Sequence, residues 1–248
     1  MGYTEEERLE HKIWRRFNKG ITEYNLLEHG DHILIGLSGG KDSLSLLEFM
    51  AKRAQIHRPA IRLTALHVRM SNIQYESDTT YLSDFAKAHN IELVVRETSF
   101  NPETDKRKNP CFLCSWNRRK VLFTVAQELG CNKIALGHHQ DDILHTTLLN
   151  LTFQGQFSTM PAMLKMRKFP VTIIRPLCLV EEKDLTTWSQ MREYRQQTKR
   201  CPYEKDSNRT DIKGIFEQME QLNGEARRSI WNALEQEGKL VEIPDNNL

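Results

Sequence analysis

Long apolar runs are missing from this sequence of 248 residues. No stretch approaches the roughly 20 apolar residues that a membrane-spanning helix needs, and the acidic start, Met1–Glu7, lacks the apolar core of a signal peptide. Hydrophobic residues make up 39% and charged residues 27% of the chain, as in water-soluble globular proteins. We therefore expect no membrane partner and a cytoplasmic location.

Cysteine is scarce and odd in number, with five in the chain. An odd set argues against a disulfide framework and for metal or thiol chemistry. Cys131 and Cys178 lie in apolar segments and are expected to be core residues. Cys111 and Cys114 form a Cys-x-x-Cys pair, and Cys201 lies far downstream, so these three are the candidates for thiol chemistry.

A strong net charge is also absent, since the formal value is only +2. Overall charge therefore gives little support for nucleic-acid binding. Basic residues gather locally, in clusters that are each typical of a solvated surface: Lys106–Lys108, Arg118–Lys120, Lys165 with Arg167–Lys168, and Lys199–Arg200. Clusters beside the candidate cysteines favour a functional role at those positions.

Two common nucleotide motifs, the Walker loop and Gly-x-Gly-x-x-Gly, do not occur. A different loop stands between the apolar run Ile33–Leu37, which predicts a strand, and the amphipathic run Leu44–Met50, which predicts a helix. Glycines at such a turn expose backbone N–H groups, and the helix N-terminus adds positive charge. We predict a phosphate site rather than a polar turn, formed by Ser38, Gly39, Gly40, Lys41, Asp42 and Ser43.

This loop, with the sequence SGGKDS, resembles the PP-loop of the ATP pyrophosphatase family. The resemblance implies cleavage of ATP between the α and β phosphates, Mg²⁺, and an adenylated substrate that is then attacked by nitrogen or sulfur. It leaves open which substrate is adenylated.

Strands and helices alternate along the chain, which predicts an α/β fold with a parallel twisted sheet of about five strands and helices on both faces. The predicted strands are Ile33–Leu37, Ile61–Val68, Ile91–Val95, Lys133–Leu136 and Thr172–Ile174. A helix is predicted over Trp116–Leu129, just before the fourth strand. We predict an N-terminal helical extension over 1–30, an ATP-binding domain over 31–180, and a C-terminal helical region over 181–248 that carries the third cysteine.

Ligands bind such sheets at the carboxyl ends of the strands. Ser38, Gly137 and Arg175 are expected there, together with His67 and Val68, whose backbone groups are predicted to contact the adenine.

A second motif, Gly137–Asp142 (GHHQDD), follows the fourth predicted strand and opens a helix. Asp141 or Asp142 can cap that helix, or one of them can bind Mg²⁺ or assist proton transfer beside ATP. His138 and His139 lack the spacing of a helical zinc site. They are expected to bond nucleotide or substrate, or to pack locally.

The Cys-x-x-Cys pair has three interpretations: a redox dithiol, half of a zinc site, or part of an iron–sulfur cluster. Zinc needs four ligands, yet the position three after Cys201 is Glu204 rather than a cysteine. Three thiolates would leave one position open on a [4Fe–4S] cluster.

In combination, the motifs resemble those of the tRNA 2-thiocytidine synthetase family. They occur in one order along the chain: Ser38–Ser43, Pro110–Cys114, Ile134–Leu144, Ile174–Leu177, Glu182–Asp184 and Cys201. The resemblance implies an ATP-dependent, iron–sulfur tRNA thiolase that replaces O2 of the anticodon-loop cytidine at position 32 with sulfur. It also implies a cysteine desulfurase as sulfur donor and a homodimer.

Carried over to this sequence, the resemblance assigns the [4Fe–4S] cluster to Cys111, Cys114 and Cys201. Catalytic roles fall to Lys41, Asp42, Asp141 and Asp142, and contacts to RNA or phosphate to Arg118, Arg119, Lys120 and Arg175. Many relatives have a second Cys-x-x-Cys where this chain has Cys201–Glu204. The zinc-finger cysteines of the related 2-thiouridine synthetases are absent from the sequence.

Three alternatives stay open at this point. One is a PP-loop ligase with an amine nucleophile, as in lysidine synthesis, which needs no cluster. The second is the same sulfur chemistry on a small substrate. The third is an RNA-binding or redox-sensing protein without catalysis, against which the intact Lys41, Asp42, Asp141 and Asp142 argue.

Overall fold

The computed structural model describes residues 2–72, 75–76, 78–101, 110–195, 198–199 and 208–243. The helices are α1 (Glu5–Glu23), α2 (Lys41–Ala54), α3 (Thr79–Ala88), α4 (Pro110–Glu128), α5 (Gln140–Gln154), α6 (Glu182–Met191), α7 (Asn208–Leu222) and α8 (Ala226–Gln236). The strands are β1 (His32–Gly36), β2 (Arg62–Met70), β3 (Tyr75–Glu76), β4 (Glu92–Thr98), β5 (Lys133–Ala135), β6 (Met163–Lys165), β7 (Thr172–Ile174), β8 (Thr198–Lys199) and β9 (Val241–Glu242). Within these ranges, none of the helices has the length and apolarity to cross a bilayer.

The main sheet has seven strands in the order β4-β2-β1-β5-β7-β6-β9. Its first five strands are parallel neighbours and correspond to the five predicted ones, so the α/β prediction is confirmed. β6 runs antiparallel to β7, and β9 adds to β6. The sequence did not predict β6 and β9, which have three and two residues and no periodic pattern of their own. β3 and β8 form a separate antiparallel pair.

Side chains of β1 alternate between two cores, as the period of a strand requires. Ile33 and Ile35 face a core shared with α1, α2, α3, α5 and α6, whereas Leu34 faces a core shared with α4. Helices therefore cover both faces. The predicted domain boundaries stay predictions, although Ile13 and Phe17 of α1 are fully buried in the larger core.

The order of the strands creates a crevice beside β1. The chain leaves β1 through α2 to reach β2 on one side, and it returns through α4 to reach β5 on the other side. At such a reversal the loops after the two central strands diverge and leave space for a ligand. Here those loops are residues 37–40 and 136–139, which carry the first and second motifs.

Candidate active site

The loop after β1 is held in shape by the hydroxyl group of Ser43. Its oxygen accepts hydrogen bonds from the Gly39 N–H and the Ser38 hydroxyl, both at 3.1 Å, and its proton is donated to the Gly40 carbonyl at 2.9 Å. Gly39 has φ of +84°, a conformation that favours glycine. The loop is therefore preformed, and it is stabilised by the hydrogen bonds of Ser43, whose side chain is buried.

The loop after β5 touches the first turn of α2 through Gly137. A Cβ atom at this position would lie 3.0 Å from the carbonyl carbon and oxygen of Asp42 and 3.1 Å from the Ser43 nitrogen. Since all three are backbone atoms, they cannot move aside as a flexible side chain would. Only glycine lets the two loops approach this closely, and the two motifs thus share one surface.

Lys41 is held between two carboxylates at this surface. Its Nζ lies 3.0 Å from Asp42 Oδ1 and 3.6 Å from Glu182 Oε1. Glu182 is also bonded at 2.8 Å by Nζ of Lys213 from α7. Although burial opposes its charge, the bond from Lys213 and the charge of Lys41 hold the pKa of Glu182 below its ordinary value. A bound anion such as phosphate can compete for Lys41.

His139 and Asp142 cap α5 reciprocally. The His139 N–H donates to Asp142 Oδ2 at 3.1 Å, and the Asp142 N–H donates to His139 Nδ1 at 3.4 Å. His139 Nε2 lies 3.9 Å from Asp42 Oδ1, so the carboxylates of Asp42 and Asp142 flank one imidazole. Both carboxylates border a cavity of about 270 Å³, which is also lined by His145, Thr146, Leu149, Glu182, Thr210 and Lys213. The capping role predicted for this aspartate pair therefore belongs to Asp142, which also faces the cavity.

Asp141 points instead into a buried contact between helices. Its Oδ1 accepts from Arg227 Nη2 of α8, and its Oδ2 accepts from the Glu182 N–H at the start of α6, each at 2.7 Å. Burial opposes the charge, but the bonds from Arg227 and Glu182 hold the pKa of Asp141 below its ordinary value. Both oxygens are engaged, so Asp141 joins α5 to α6 and α8.

His67 and Val68 lie inside β2, because this strand runs on to Met70 rather than ending at Val68 as predicted. His67 is buried and its Nδ1 lies 2.8 Å from the Leu37 carbonyl oxygen; burial lowers its pKa. The pairing of β1 with β2 ends at Leu66, and alternate residues of a parallel strand direct their backbone groups to the same neighbour. Val68 therefore directs its N–H and C=O toward the loop.

Arg175 directly follows β7, which ends at Ile174. Its Nε donates to His138 Nδ1 at 3.2 Å and its Nη1 donates to the Pro161 carbonyl. Burial lowers its pKa to about 10, with a smaller contribution from the charge of Arg119. The contact to RNA or phosphate stays a prediction, but at 6% exposure this guanidinium belongs to the floor of the site rather than to the outer surface.

The Cys-x-x-Cys pair forms the first turn of α4, which begins at Pro110 rather than at the predicted Trp116. Proline suits a helix start because its missing N–H has no partner to lose there. Cys111 and Cys114, three residues apart, share one helix face. Cys111 is exposed, and Cys114 packs on Met70 and Phe100 at the ends of two strands.

The start of α4 lies at the same sheet edge as the first two motifs, because α4 leads into β5 and so runs opposite to the strands. Cys201, Glu204, Arg200 and Lys106–Lys108 lie outside the described residues. Within the residues that are described, no three His, Cys, Asp or Glu side chains are grouped closely enough to hold a metal ion.

The basic cluster that follows the cysteines is divided by the helix. Arg118 is half-buried, and its charge contributes to the lowered pKa of His67 in β2. Arg119 and Lys120 are exposed. The RNA contacts of all three stay a prediction, and the structure separates the half-buried Arg118 from its two exposed neighbours.

The remaining cysteines are core residues, as predicted. Cys131 and Cys178 are 4% and 0% exposed. Burial raises the pKa of the Cys131 thiol to about 11 and that of Cys178 further. Both thiols are therefore protonated at neutral pH and poorly suited to bind metal.

Sequence reasoning assigned no site role to Glu182, Lys213 or Arg227. Lys213 and Arg227 lie on C-terminal helices far along the chain from their partners, and no local pattern marks such pairs. Glu182 occurs in one of the family motifs, which was a signal of a role, but only the structure places it beside Lys41.

Comparison with known proteins adds a family and several relatives. The family model of the PP-loop domain matches residues 9–218. The tRNA-cytidine(32) 2-sulfurtransferases of Variovorax paradoxus (strain S110) and Paracidovorax citrulli (strain AAC00-1) are 37% and 38% identical over 193 residues, covering 77% of this chain. The chain spans 62% of the length of these relatives.

Among solved structures, the chain is similar to the U34-tRNA thiolase NcsA from Methanococcus maripaludis with its [4Fe-4S] cluster. The TM-score is 0.77 at 25% sequence identity, and the match covers 96% of this chain and 81% of that one.

Proposed function

Because the chain belongs to the PP-loop domain family, we propose that it is an ATP-dependent tRNA sulfurtransferase that converts cytidine 32 to 2-thiocytidine. The observation that carries the proposal is the position of the Cys-x-x-Cys turn of α4 at the same sheet edge as the preformed loop after β1. Relatives that bear this activity in their names support the same acceptor.

ATP would lie across the crevice beside β1. The N–H groups at the start of α2 and the Nζ of Lys41 would bind its phosphates, while the backbone of Val68 would bond the adenine. When phosphate takes Lys41, its present partners Asp42 and Glu182 lose an ion pair. The loop geometry is already in place, so little reorganisation is needed on binding.

Mg²⁺ would be held by Asp42 and Asp142. Magnesium is usually bound by one or two carboxylates together with substrate phosphates, and these two carboxylates flank His139 at the crevice. Asp141 is the weaker candidate, since both its oxygens already accept hydrogen bonds from Arg227 and Glu182.

The thiols of Cys111 and Cys114 fit a [4Fe–4S] cluster, with Cys201 as the third ligand. They are adjacent on one turn, Cys111 is exposed, and no acidic residue stands in the first turn of α4 to oppose an anionic cluster there. When bound by three thiolates, such a cluster has one iron free to carry sulfide.

The reaction would proceed in two displacements. The cytosine O2 forms a bond to the α phosphate as pyrophosphate leaves, and Lys41 stabilises the charge that develops there. Sulfide then forms the C2–S bond as the C2–O bond breaks and AMP leaves. An anticodon-loop base suits this site because single-stranded bases can enter a pocket unstacked. A cysteine desulfurase would supply the sulfur, and a homodimer is the proposed assembly.

The proposal is tested by ATP turnover with purified protein after anaerobic cluster reconstitution. We expect AMP and pyrophosphate to form with tRNA and sulfide present, and Lys41→Ala to reduce this rate by at least 100-fold, since it removes a charged group from the reacting phosphates. Lys183→Ala is the matched control, because Lys183 is exposed and bonded to Glu181. Formation of ADP, or undiminished AMP formation by Lys41→Ala, would contradict the proposal.

A further inference from the structure

The outward face of α4 has an unusual composition beside the cysteine pair. The exposed residues in its first three turns are Cys111, Phe112, Ser115, Trp116, Arg119 and Lys120, with the half-buried positions between them. Phe112 is 50% and Trp116 52% exposed. A spacing of four residues aligns Phe112, Trp116 and Lys120 along one side of the helix.

Cations accompany these rings. Lys120 Nζ lies 5.8 Å from the centre of the Trp116 ring, within the range of a cation–π contact. Arg119 is exposed one turn from Ser115. No acidic residue occurs in α4 before Glu128, so every exposed charge in the first three turns of the helix is positive.

We propose that this face, formed by Phe112, Trp116, Arg119 and Lys120, stacks unpaired bases of the RNA substrate. Every base has a π face, and stacking on aromatic side chains together with backbone contacts to cations is how proteins hold single-stranded nucleic acid. The inference rests on the proposed function and deepens it, since it assigns the contacts that hold the bases next to the reacting cytidine.

The position of the face supports RNA over a protein partner. Trp116 follows Cys111 by just over one helical turn, so a base stacked on it lies within a few nucleotides of the proposed reaction site. The cores of protein interfaces are depleted of lysine. Here Lys120 lies over the Trp116 ring and Arg119 is exposed next to it in the chain, which suits a phosphate backbone.

The sequence contained this signal, a Phe-x-x-x-Trp-x-x-x-Lys pattern starting one residue after Cys111. The prediction from sequence named four basic residues, Arg118, Arg119, Lys120 and Arg175, and neither ring. Phe112 lay outside the helix that was expected to begin at Trp116. With α4 starting at Pro110, Phe112 joins the same face as Trp116.

The test is anaerobic equilibrium binding of a labelled anticodon stem-loop RNA to the cluster-loaded protein, without ATP. We expect Trp116→Ala to weaken binding about 10-fold or more and Phe112→Ala to weaken it less, since loss of one stacking contact costs that much affinity. Trp116→Phe keeps a stacking ring and should stay within about 3-fold of the parent protein. Leu222→Ala, which alters a side chain that is 90% exposed on α7, is the matched control and should bind normally.

A second RNA separates stacking from charge. When the loop is closed into a duplex, Trp116→Ala should bind this second RNA as tightly as the parent protein does. Arg119→Ala should lower the affinity for both RNAs and make that affinity depend less on salt concentration. Equal binding of the stem-loop by Trp116→Ala and the parent would overturn the inference but leave the proposed function intact. A Trp116→Ala protein that binds RNA normally but accepts sulfur poorly from a cysteine desulfurase would assign this face to a protein partner. That result would also overturn the inference that the face stacks RNA bases. A parent protein that binds no RNA would overturn both.

Discussion

At the scale of single residues, the site depends on contacts between backbone atoms as much as on charged side chains. Ser43 fixes the loop after β1 from within, and Gly137 allows the loop after β5 to lie against Asp42 and Ser43. A phosphate site of this kind is preorganised, because its N–H donors are directed by the fold before ligand arrives.

Gly137→Ala should separate the two loops by a few tenths of an ångström. We expect the KM for ATP to rise several-fold and the free energy of unfolding to fall by about 1–3 kcal/mol, as for other overpacked sites. ATP kinetics and urea denaturation measure the two effects.

Gly214→Ala is the matched control, since an added Cβ meets no atom within 4 Å there and alanine is favoured within a helix such as α7. Its stability should be unchanged or raised by up to about 1 kcal/mol. A Gly137→Ala protein that behaves like this control would show that the close approach of the loops is unimportant.

At the scale of helices, α7 and α8 reach the site through ion pairs. Lys213 of α7 bonds Glu182, which in turn lies beside Lys41. Arg227 of α8 bonds Asp141 and lies over the Phe216 ring of α7. The C-terminal helices are therefore part of the framework of the nucleotide site.

The pair of Asp141 and Arg227 should show its contribution in the pH dependence of stability. The pKa of Asp141 in the folded chain lies below its ordinary value of 3.8. The pair therefore contributes fully above that pH, and the contribution is lost as the pH falls through the folded pKa. At pH 7, Asp141→Asn should reduce the free energy of unfolding by about 2–3 kcal/mol, since it removes a charged acceptor from Arg227.

Urea denaturation at several pH values checks this prediction. The difference between Asp141→Asn and the parent should shrink as the pH falls below 3.8. Asp84→Asn, at an exposed position on α3, should have little effect at any pH. A difference that is the same at pH 3 and pH 7 would exclude the ionised carboxylate as its source.

At the scale of the whole molecule, the sheet brings together segments that are far apart in sequence. The apolar runs of the five parallel strands were visible in the sequence, and with them the strand ends that carry the loops. The partners of Asp141 and Glu182 were not visible, because a pair such as Asp141 and Arg227 is selected by tertiary packing alone. The short strands β6 and β9 escaped prediction because they are stabilised by pairing with neighbours rather than by a pattern of their own.

The five cysteines offer a test of how the whole chain divides into core and site. Alanine at Cys111, Cys114 or Cys201 should remove most of the iron from a reconstituted protein that otherwise holds about four irons per chain. Alanine at Cys131 or Cys178 should leave the iron content unchanged, since both thiols are buried in the core. Iron analysis together with the brown absorbance of the cluster measures the outcome, and a full cluster in Cys111→Ala would rule out the proposed ligand set.

The most direct test of the central claim is mass spectrometry of nucleosides in tRNA from cells with and without this protein. We predict that 2-thiocytidine is present with the protein, disappears in its absence, and returns when the parent chain is restored but not when Lys41→Ala is supplied. Unchanged 2-thiocytidine in cells that lack the protein would contradict the claim that tRNA cytidine is its substrate.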